Sequence, residues 1–343
     1  NSVLVFKFVP ALRFPEFTRE WKETTLDNEC MINPTSDKLK SEFVYVDLES
    51  VERGELTKRQ VIEKENAPSR AQRVLQNDDI LFQCVRPYQK NNYIVKEVSS
   101  EIQWVASTGY AQLRTDRNIP AFIYHLLNTS SFNKKVIVRC TGSSYPAINS
   151  YDLSKIHFYI CGIDEQKRIA DFLSLLDERI ATQNKIIEKL ETLIKGIIET
   201  VISSQKSNTL IKDCLECNSS TLQESQVADN GSFPVYGATG ISGYTETADV
   251  NGESILIIKD GSGVGTVKFV TGKYSYIGTL NRLIAKDGYH LKYIYFALQG
   301  FSFEPYKIGM AIPHIYFKDY GKAKIFCPTI EKQSAIAKSL SFI

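Results

Sequence analysis

Apolar residues in the middle of the chain recur at the spacing of a coiled coil. Between Asp164 and Lys206 they follow one another in alternating steps of four and three residues, a pattern typical of a long helix packed along a second helix. At about 1.5 Å per residue the predicted helix is roughly 60 Å long. An ordinary amphipathic surface helix is the competing interpretation, but such helices seldom keep heptad register for so long. The predicted seam consists of Ile169, Leu173, Leu176, Ile180, Gln183, Ile187, Leu190, Ile194, Ile197 and Val201.

The stretches on either side of this helix show the short, alternating apolar runs of β-strands. Turn residues separate the runs, which is the usual signature of a mostly β globule. Two short helices are also predicted, at residues 121–127 and 292–298. The fold class is therefore α+β, with two mostly β domains separated by a long coiled-coil helix. The predicted strands include residues 43–46, 80–82, 93–95, 136–138, 254–258, 266–270 and 324–326.

The two globules are predicted to be copies of each other. Residues 142–148 match residues 309–315 at an offset of 167, and the same offset brings Gln166 over Gln333. Chance rarely keeps so many Gly, Pro and Gln positions in step, and the repeating unit is far larger than a solenoid repeat. The predicted domains are a first globule, the central helix, a second globule and the start of a distal helix, at residues 1–162, 163–207, 208–328 and 329–343.

Composition narrows the class of protein. The 343 residues are 43% hydrophobic and 23% charged, as in an ordinary soluble protein. No run approaches the roughly 20 apolar residues of a membrane span, and no signal peptide is evident, so we expect a cytoplasmic protein. The seven Cys are scattered, which favours reduced thiols. Because the net charge is only +2, any nucleic-acid surface must be a local patch.

Several segments of the chain resemble the specificity subunit of a type I restriction-modification system. They are residues 14–17 with Trp21, the turn at 142–146, the opening of the long helix at 165–170, and their second-half counterparts. The resemblance implies two target-recognition domains, each reading one half of a split double-stranded DNA site. It also implies two antiparallel helices that space the domains and dock methyltransferase subunits, two of them, with restriction subunits joining the complex. S-adenosylmethionine, ATP and Mg would then be bound by partner subunits, and no cofactor or metal by this chain.

The distal helix departs from the family pattern. A complete member would have a second helix comparable in length to the first, whereas this sequence stops at Ile343. Three explanations stand open: a short variant, a tail missing from the sequence, or a partner helix supplied by another chain. We expect self-association through residues 176–201 when partner subunits are absent.

Motifs for catalysis or metal binding lack their context. The Gly-rich segment 261–265 follows an apolar run, but the next residues alternate like a strand and do not open a helix as in a dinucleotide site. Cys214 and Cys217 have zinc-like spacing without a second close pair. Neither a Pro-Pro nor a Gly-Lys-Ser/Thr motif occurs. The sequence thus predicts a non-catalytic chain.

Polar and basic loops at matching places in both globules are candidates for DNA contact. Phosphates require cations, and base edges require amide, guanidinium or hydroxyl groups. We assign phosphate contacts to Lys90 and Lys268 and base reading to Gln89 and Asn281. The first-globule candidates are Arg86, Tyr88, Gln89, Lys90, Asn91, Arg114, Lys134, Lys135, Ser143, Ser144 and Tyr145. The second-globule candidates are Lys259, Ser262, Lys268, Lys273, Tyr274, Tyr276, Asn281, Arg282, Lys307 and His314.

An alternative function uses the same features without DNA. In that interpretation the two β domains bind proteins and the coiled coil forms a dimeric scaffold. The duplicated, amide-rich loops and the family-like flanks favour DNA recognition.

Overall fold

The computed structural model describes residues 10, 12–98 and 101–341, and the chain divides into two compact units, Asn1–Ala181 and Thr182–Ile343. Each unit contains two four-stranded sheets. The elements of the first unit are β1 Lys22–Thr25, α1 Leu26–Glu29, β2 Met31–Ile32, β3 Glu42–Val46, β4 Val51–Glu52, β5 Glu55–Leu56, β6 Gln60–Glu63, β7 Ala71–Val74, β8 Ile80–Gln83, β9 Tyr93–Ile94, β10 Gln103–Ser107, β11 Tyr110–Arg114, α2 Pro120–Leu127, α3 Ser130–Ile137, α4 Ser150–Ser154 and β12 His157–Ile160.

The long helix α5, Ile163–Ile198, begins in the first unit and ends in the second, where one π-helical turn, Glu199–Ser203, extends it. The elements that follow are β13 Thr209–Leu210, α6 Ile211–Cys214, β14 Leu215–Ser219, β15 Phe233–Gly237, β16 Gly240–Thr245, β17 Val250–Asn251, β18 Ser254–Ile258, β19 Val267–Val270, β20 Lys273–Tyr276, β21 Leu280–Ala285, α7 Leu291–Gln299, α8 Phe317–Tyr320, β22 Lys324–Ile325 and α9 Ile330–Leu340.

The two units have the same strand order. The mixed sheets run β6-β3-β10-β7 and β16-β15-β20-β17, and in each the central pair, β3 with β10 or β15 with β20, is parallel. The antiparallel sheets run β2-β11-β8-β9 and β14-β21-β18-β19. Matched strands also occur in the same order along the sequence. The predicted α+β class with two similar, mostly β domains around a long helix is therefore confirmed.

Strand β8 shows why the apolar runs of the sequence become strands in the core. Its side chains alternate between the two faces of the sheet. Ile80 and Phe82 pack with Phe122 of α2, while Leu81 packs on the other face with Trp104 of the mixed sheet. A strand that is buried on both faces reads as a continuous apolar run rather than as an alternating one.

The predicted strand at residues 136–138 is wrong, because this segment ends helix α3. Phe132 and Val136 are four residues apart, so they bury one face of a helix against the first core. Thr129 caps the helix, since its hydroxyl accepts a hydrogen bond from the backbone N–H of Phe132 at 3.2 Å. Tertiary packing here outweighs the β propensity of the β-branched residues.

A buried glutamine repeats in both units. The Gln166 side-chain oxygen accepts a hydrogen bond from the Ile119 backbone N–H at 3.1 Å, and its amide donates to the Cys161 carbonyl at 2.9 Å. The Gln333 side chain does the same, since it accepts a hydrogen bond from the His290 backbone N–H at 3.0 Å and donates one to the Pro328 carbonyl at 2.8 Å. Each glutamine thus joins the first turn of α5 or α9 to the start of α2 or α7.

Long helix α5 confirms the predicted long helix, and its predicted coiled-coil seam is partly buried only near the two ends. Ala170 is buried in the first core, and Ile198 and Ile202 are buried in the second. At the N-terminal end, Glu165 accepts hydrogen bonds from Arg13 at 2.6 Å and from Trp21 at 3.2 Å. Of the predicted seam, Ile169, Leu173, Ile194 and Ile197 are half-buried, and Leu176, Ile180, Gln183, Ile187, Leu190 and Val201 are exposed.

The predicted distal helix is α9 as far as it is described. Ala337 and Leu340 are buried in the second core, where α9 packs against α7. Residues 342–343 lie outside the described part of the chain. Among the described helices, none combines the length and the apolar composition required to cross a lipid bilayer.

Candidate nucleic-acid interface

The hairpin β8–β9 of the first unit and the hairpin β18–β19 of the second correspond residue by residue. Ile80 pairs with Ile94 in the first hairpin, and Ile255 pairs with Phe269 in the second, which fixes an offset of 175 without a gap. We call residues 84–92 the first loop and residues 259–267 the second loop. The offset places Arg86 and Lys90 at the positions of Gly261 and Gly265.

Each loop is held against a turn by the same two backbone hydrogen bonds. We call residues 141–148 the first turn and residues 308–315 the second turn. In the first unit Arg86 N–H donates to the Pro146 carbonyl at 2.7 Å, and Ile148 N–H donates to the Cys84 carbonyl at 3.0 Å. Both bonds recur in the second unit at 2.9 Å, from Gly261 to Pro313 and from Ile315 to Lys259.

The turns themselves also match. Gly142 and Gly309 both have φ of +91°, a left-handed conformation that favours glycine. At Gly309 an added Cβ would lie 2.4 Å from the Ile312 carbonyl oxygen, so this turn closes too tightly for any other residue. The turn repeat predicted from the sequence is thus a repeat in structure. Each unit presents one loop-and-turn surface built on its antiparallel sheet.

On the first loop-and-turn surface the structure brings together most of the predicted residues. The Arg86 guanidinium lies 4.3 Å from the centroid of the Tyr145 ring, which is 64% exposed. Tyr88 projects from the loop beside them and is also largely exposed, as are Ser143 and Ser144 of the turn. The surface therefore offers a cation, two aromatic rings and two hydroxyl groups to a ligand.

Three predicted residues of the first loop instead fix its shape. The Gln89 side-chain oxygen accepts a hydrogen bond from the Gln83 amide at 2.8 Å, and the Lys90 ammonium donates to the Asn128 carbonyl at 3.2 Å. The Asn91 side-chain oxygen accepts from the backbone N–H of Arg53 at 3.1 Å. Gln89 remains exposed, so its NH₂ group is still available to a base.

Arg114 and Lys135 lie in other surroundings. Arg114 forms an ion pair with the fully buried carboxylate of Asp79 at 2.7 Å, and this partner raises the pKa of the guanidinium. Breaking the pair would leave a buried charge uncompensated, so Arg114 stabilises the first unit, and its contact with DNA stays a prediction. Lys135 donates to the His157 carbonyl at 2.8 Å. Lys134 is exposed on α3, which packs against the first loop.

The second loop-and-turn surface has a different chemistry. Ser262 is exposed on the loop, and Lys259 and His314 are half-buried beside it. Met310 is fully exposed at the tip of the turn, and Ile312 is 65% exposed. Neither apolar residue was predicted as a contact, although the sequence repeat places them over Ser143 and Tyr145 and could have identified them.

Two further lysines of the second unit lie over aromatic rings. The Lys268 ammonium is 5.0 Å from the Tyr236 ring centroid, and the Lys273 ammonium is 5.7 Å from that of Phe233. Both lysines are exposed. Lys307 is paired with Glu304.

Three predicted contacts of the second unit are wrong because they lie in its core. Tyr274, Tyr276 and Asn281 have at most 5% of their surface exposed, and the Asn281 side chain accepts a hydrogen bond from Ser219 at 2.9 Å. Burial raises the pKa of both tyrosines. Arg282 also faces inward and donates to the Ser254 hydroxyl at 2.7 Å.

Comparison with known proteins gives matches along nearly the whole chain. A family model described as type I restriction modification DNA specificity domain matches residues 20–192 and 209–343. The type I restriction enzyme HindI specificity subunit of Haemophilus influenzae is 22% identical over 187 residues, which are 53% of this chain and 37% of that relative. This chain therefore spans well under two thirds of the relative's length.

Two solved structures share the fold. The S subunit of a type I restriction-modification system from M. genitalium has a TM-score of 0.66 at 15% identity, with 98% of this chain and 92% of that chain covered. A chain from a structure of a type I restriction-modification system, described as the basis of complex assembly and conformational transition, has a TM-score of 0.50 at 21% identity. That alignment covers 94% of this chain and 89% of the other.

Proposed function

The chain belongs to the type I restriction modification DNA specificity domain family, and on that premise we propose that it is the sequence-specific DNA-recognition subunit of a type I restriction-modification complex. The observation that carries the proposal is the duplicated loop-and-turn surface. Two units present the same scaffold, with Arg86 and Tyr145 on one copy and Ser262 and Met310 on the other. One backbone frame that displays different side chains can read two different half-sites.

Long helix α5 supports a spacing role. Its 36 residues make a rod of about 54 Å. Each end of the rod is anchored in a core, at Ala170 in the first unit and at Ile198 and Ile202 in the second. The helix would set the number of unread base pairs between the half-sites.

The partners follow from the same proposal. Two methyltransferase subunits would dock on the helices, and restriction subunits would complete the complex in the cytoplasm. S-adenosylmethionine, ATP and Mg would be bound by those subunits, while this chain supplies recognition and no catalytic group. In the absence of partner subunits the exposed seam of α5 would bind a second copy of the chain.

DNA binding by the chain together with its methyltransferase subunits tests the proposal. We expect fragments carrying the recognised site to compete about 10³-fold or more better than random fragments.

Lys268→Ala should weaken binding to all sequences about equally and lower the slope of log K against log salt by about 0.9. Lys64→Ala, at an exposed lysine of the first unit that is not a candidate for DNA contact, is the control. If the chain adds no DNA binding to that of the methyltransferase subunits alone, the result would instead favour a protein-binding scaffold that does not contact DNA.

A further inference from the structure

Two cationic residues of the first loop have a backbone conformation that disfavours them. Arg86 and Lys90 have φ of +54° and +55°, in the left-handed region where a Cβ is unfavourable. The corresponding residues of the second loop are Gly261 and Gly265, with φ of +91° and +93°. Both loops thus require a left-handed backbone at these two positions. The second loop meets this requirement with glycine, the residue best suited to it.

Lys90 has a structural use for its side chain, whereas Arg86 does not. The Lys90 ammonium donates to the Asn128 carbonyl at 3.2 Å and so ties the loop to the end of α2. Within the described part of the chain, no group accepts a hydrogen bond from the Arg86 guanidinium, and no carboxylate lies within 4.0 Å of it. Strain retained at a residue whose side chain has no hydrogen-bonding or ionic partner is characteristic of functional sites.

The guanidinium is nevertheless held in place. The Arg86 backbone N–H is bound to the Pro146 carbonyl at 2.7 Å, and its carbonyl accepts from Gln89 N–H at 3.0 Å. Its guanidinium lies 4.3 Å from the Tyr145 ring centroid, at cation–π distance. Such a stacked guanidinium keeps its N–H donors free for a ligand and loses little conformational freedom on binding.

We propose that Arg86 reads one guanine in the half-site of the first unit, and that Tyr145 positions its guanidinium. The proposal rests on the proposed function. In the major groove guanine presents two acceptors, O6 and N7, which match the two parallel N–H donors of a guanidinium. A phosphate contact would need only a flexible cation on an unstrained backbone, so it gives no reason for arginine in a left-handed position.

The test uses Arg86→Gly and Arg86→Lys in the assembled methyltransferase complex. Methylation of a library with randomised half-sites reports the preference at every position. With the wild-type chain we expect an obligatory guanine in one half-site. Both variants should lower discrimination at that position by about 5- to 150-fold and leave the other positions unchanged. Arg86→Gly should also keep or raise the unfolding temperature, because glycine suits the left-handed backbone.

Controls separate positioning from folding. Tyr145→Phe keeps the ring and should keep the guanine preference, whereas Tyr145→Ala should weaken it. Arg59 is the matched control, since its guanidinium lies 5.3 Å from the Trp104 ring but outside the loop-and-turn surface. Arg59→Lys should leave every base preference as it is in the wild type.

Two results would overturn the inference. One is that Arg86→Lys and Arg86→Gly both keep the base preference of the wild type at every position of the half-sites. The other is a uniform loss of methylation on all sequences, which would make Arg86 a phosphate contact. If the wild-type complex shows no sequence preference at all, the proposed function fails along with the inference.

Discussion

At the scale of single residues, burial and pairing decide which polar side chains a ligand can reach. Tyr274 and Tyr276 are two residues apart, as a surface pair on a strand would be, yet β20 is a central strand with both faces covered. Arg114 looks like a free cation until its partner Asp79, 35 residues away in sequence, is known. Burial and long-range pairing depend on the tertiary fold, and these residues could not be resolved without it.

His125 gives a pH prediction. The imidazole is half-buried against α5, 3.2 Å from the Ser174 hydroxyl and 3.7 Å from the Asp177 carboxylate. Desolvation lowers its pKa, with Lys96 adding to the effect and Asp177 opposing it. The unfolded chain therefore binds a proton at higher pH than the folded chain does. Stability should fall as the pH drops below the unfolded value of about 6.5.

A matched variant is available because the equivalent hydrogen bonds of Ile119 and His290 align α2 with α7 at an offset of 171, which places Phe296 at the position of His125. His125→Phe should remove this part of the pH dependence in thermal unfolding between pH 7.5 and 5.5. Equal pH dependence in His125→Phe and the wild-type chain would contradict the prediction.

The paired glutamines give a stability prediction. Gln166→Leu would leave the Ile119 N–H and the Cys161 carbonyl without their partner, at about 1–3 kcal/mol for each buried group left unpaired. Gln333→Leu should have a similar cost in the free energy of unfolding, measured by urea titration. Gln76→Leu, at an exposed glutamine outside the seam, is the control and should stay within about 0.5 kcal/mol of the wild type. A negligible cost in both buried variants would refute the role assigned to them.

At the scale of elements, most of the helices and strands that periodicity predicted are present, because pattern and burial agree along them. The heptad pattern correctly predicted α5, whose length and lack of proline leave little competition. The strand prediction failed at residues 136–138, where three β-branched residues in a row match a strand. Only the contact of Phe132 and Val136 with the core shows that this segment is helical. Whether a seam is covered also cannot be predicted from its own periodicity.

The exposed seam gives the prediction at this scale. Leu176 and Ile187 are 41% and 52% exposed, and apolar side chains at this spacing favour a second helix. Without partner subunits, the chain should associate at micromolar concentration in sedimentation velocity. Replacing both residues with Lys should give a monomer, whereas the control Glu178→Lys with Glu188→Lys changes charge off the seam and should still associate. A strictly monomeric wild-type chain would exclude this contact.

At the scale of the whole molecule, the duplication could be predicted from the sequence because Gly, Pro and Gln keep their spacing in both halves. These residues set left-handed turns and buried hydrogen bonds, which tolerate few substitutions. The side chains on the loops are not so constrained, and they differ between the copies. This difference is what a two-part recognition protein requires, and for the same reason the recognised bases cannot be derived from the repeat.

The rod gives a prediction about spacing. Inserting four residues next to Gln183, together with a matching insertion in the partnering helix, should change the number of unread base pairs. The bases that are read should stay the same, since the loop-and-turn surfaces are untouched. Methylation of sites with spacers of different lengths measures both quantities. An unchanged spacer would show that α5 does not set the distance.

The most direct test of DNA recognition is to map methylated bases across the genome of the source cells with and without this gene. We predict a methylated motif of two specified parts separated by unspecified bases. Methylation should be present at both parts in the wild type and absent from both when the gene is deleted. An unchanged methylation pattern, or the loss of a continuous motif without a spacer, would contradict it.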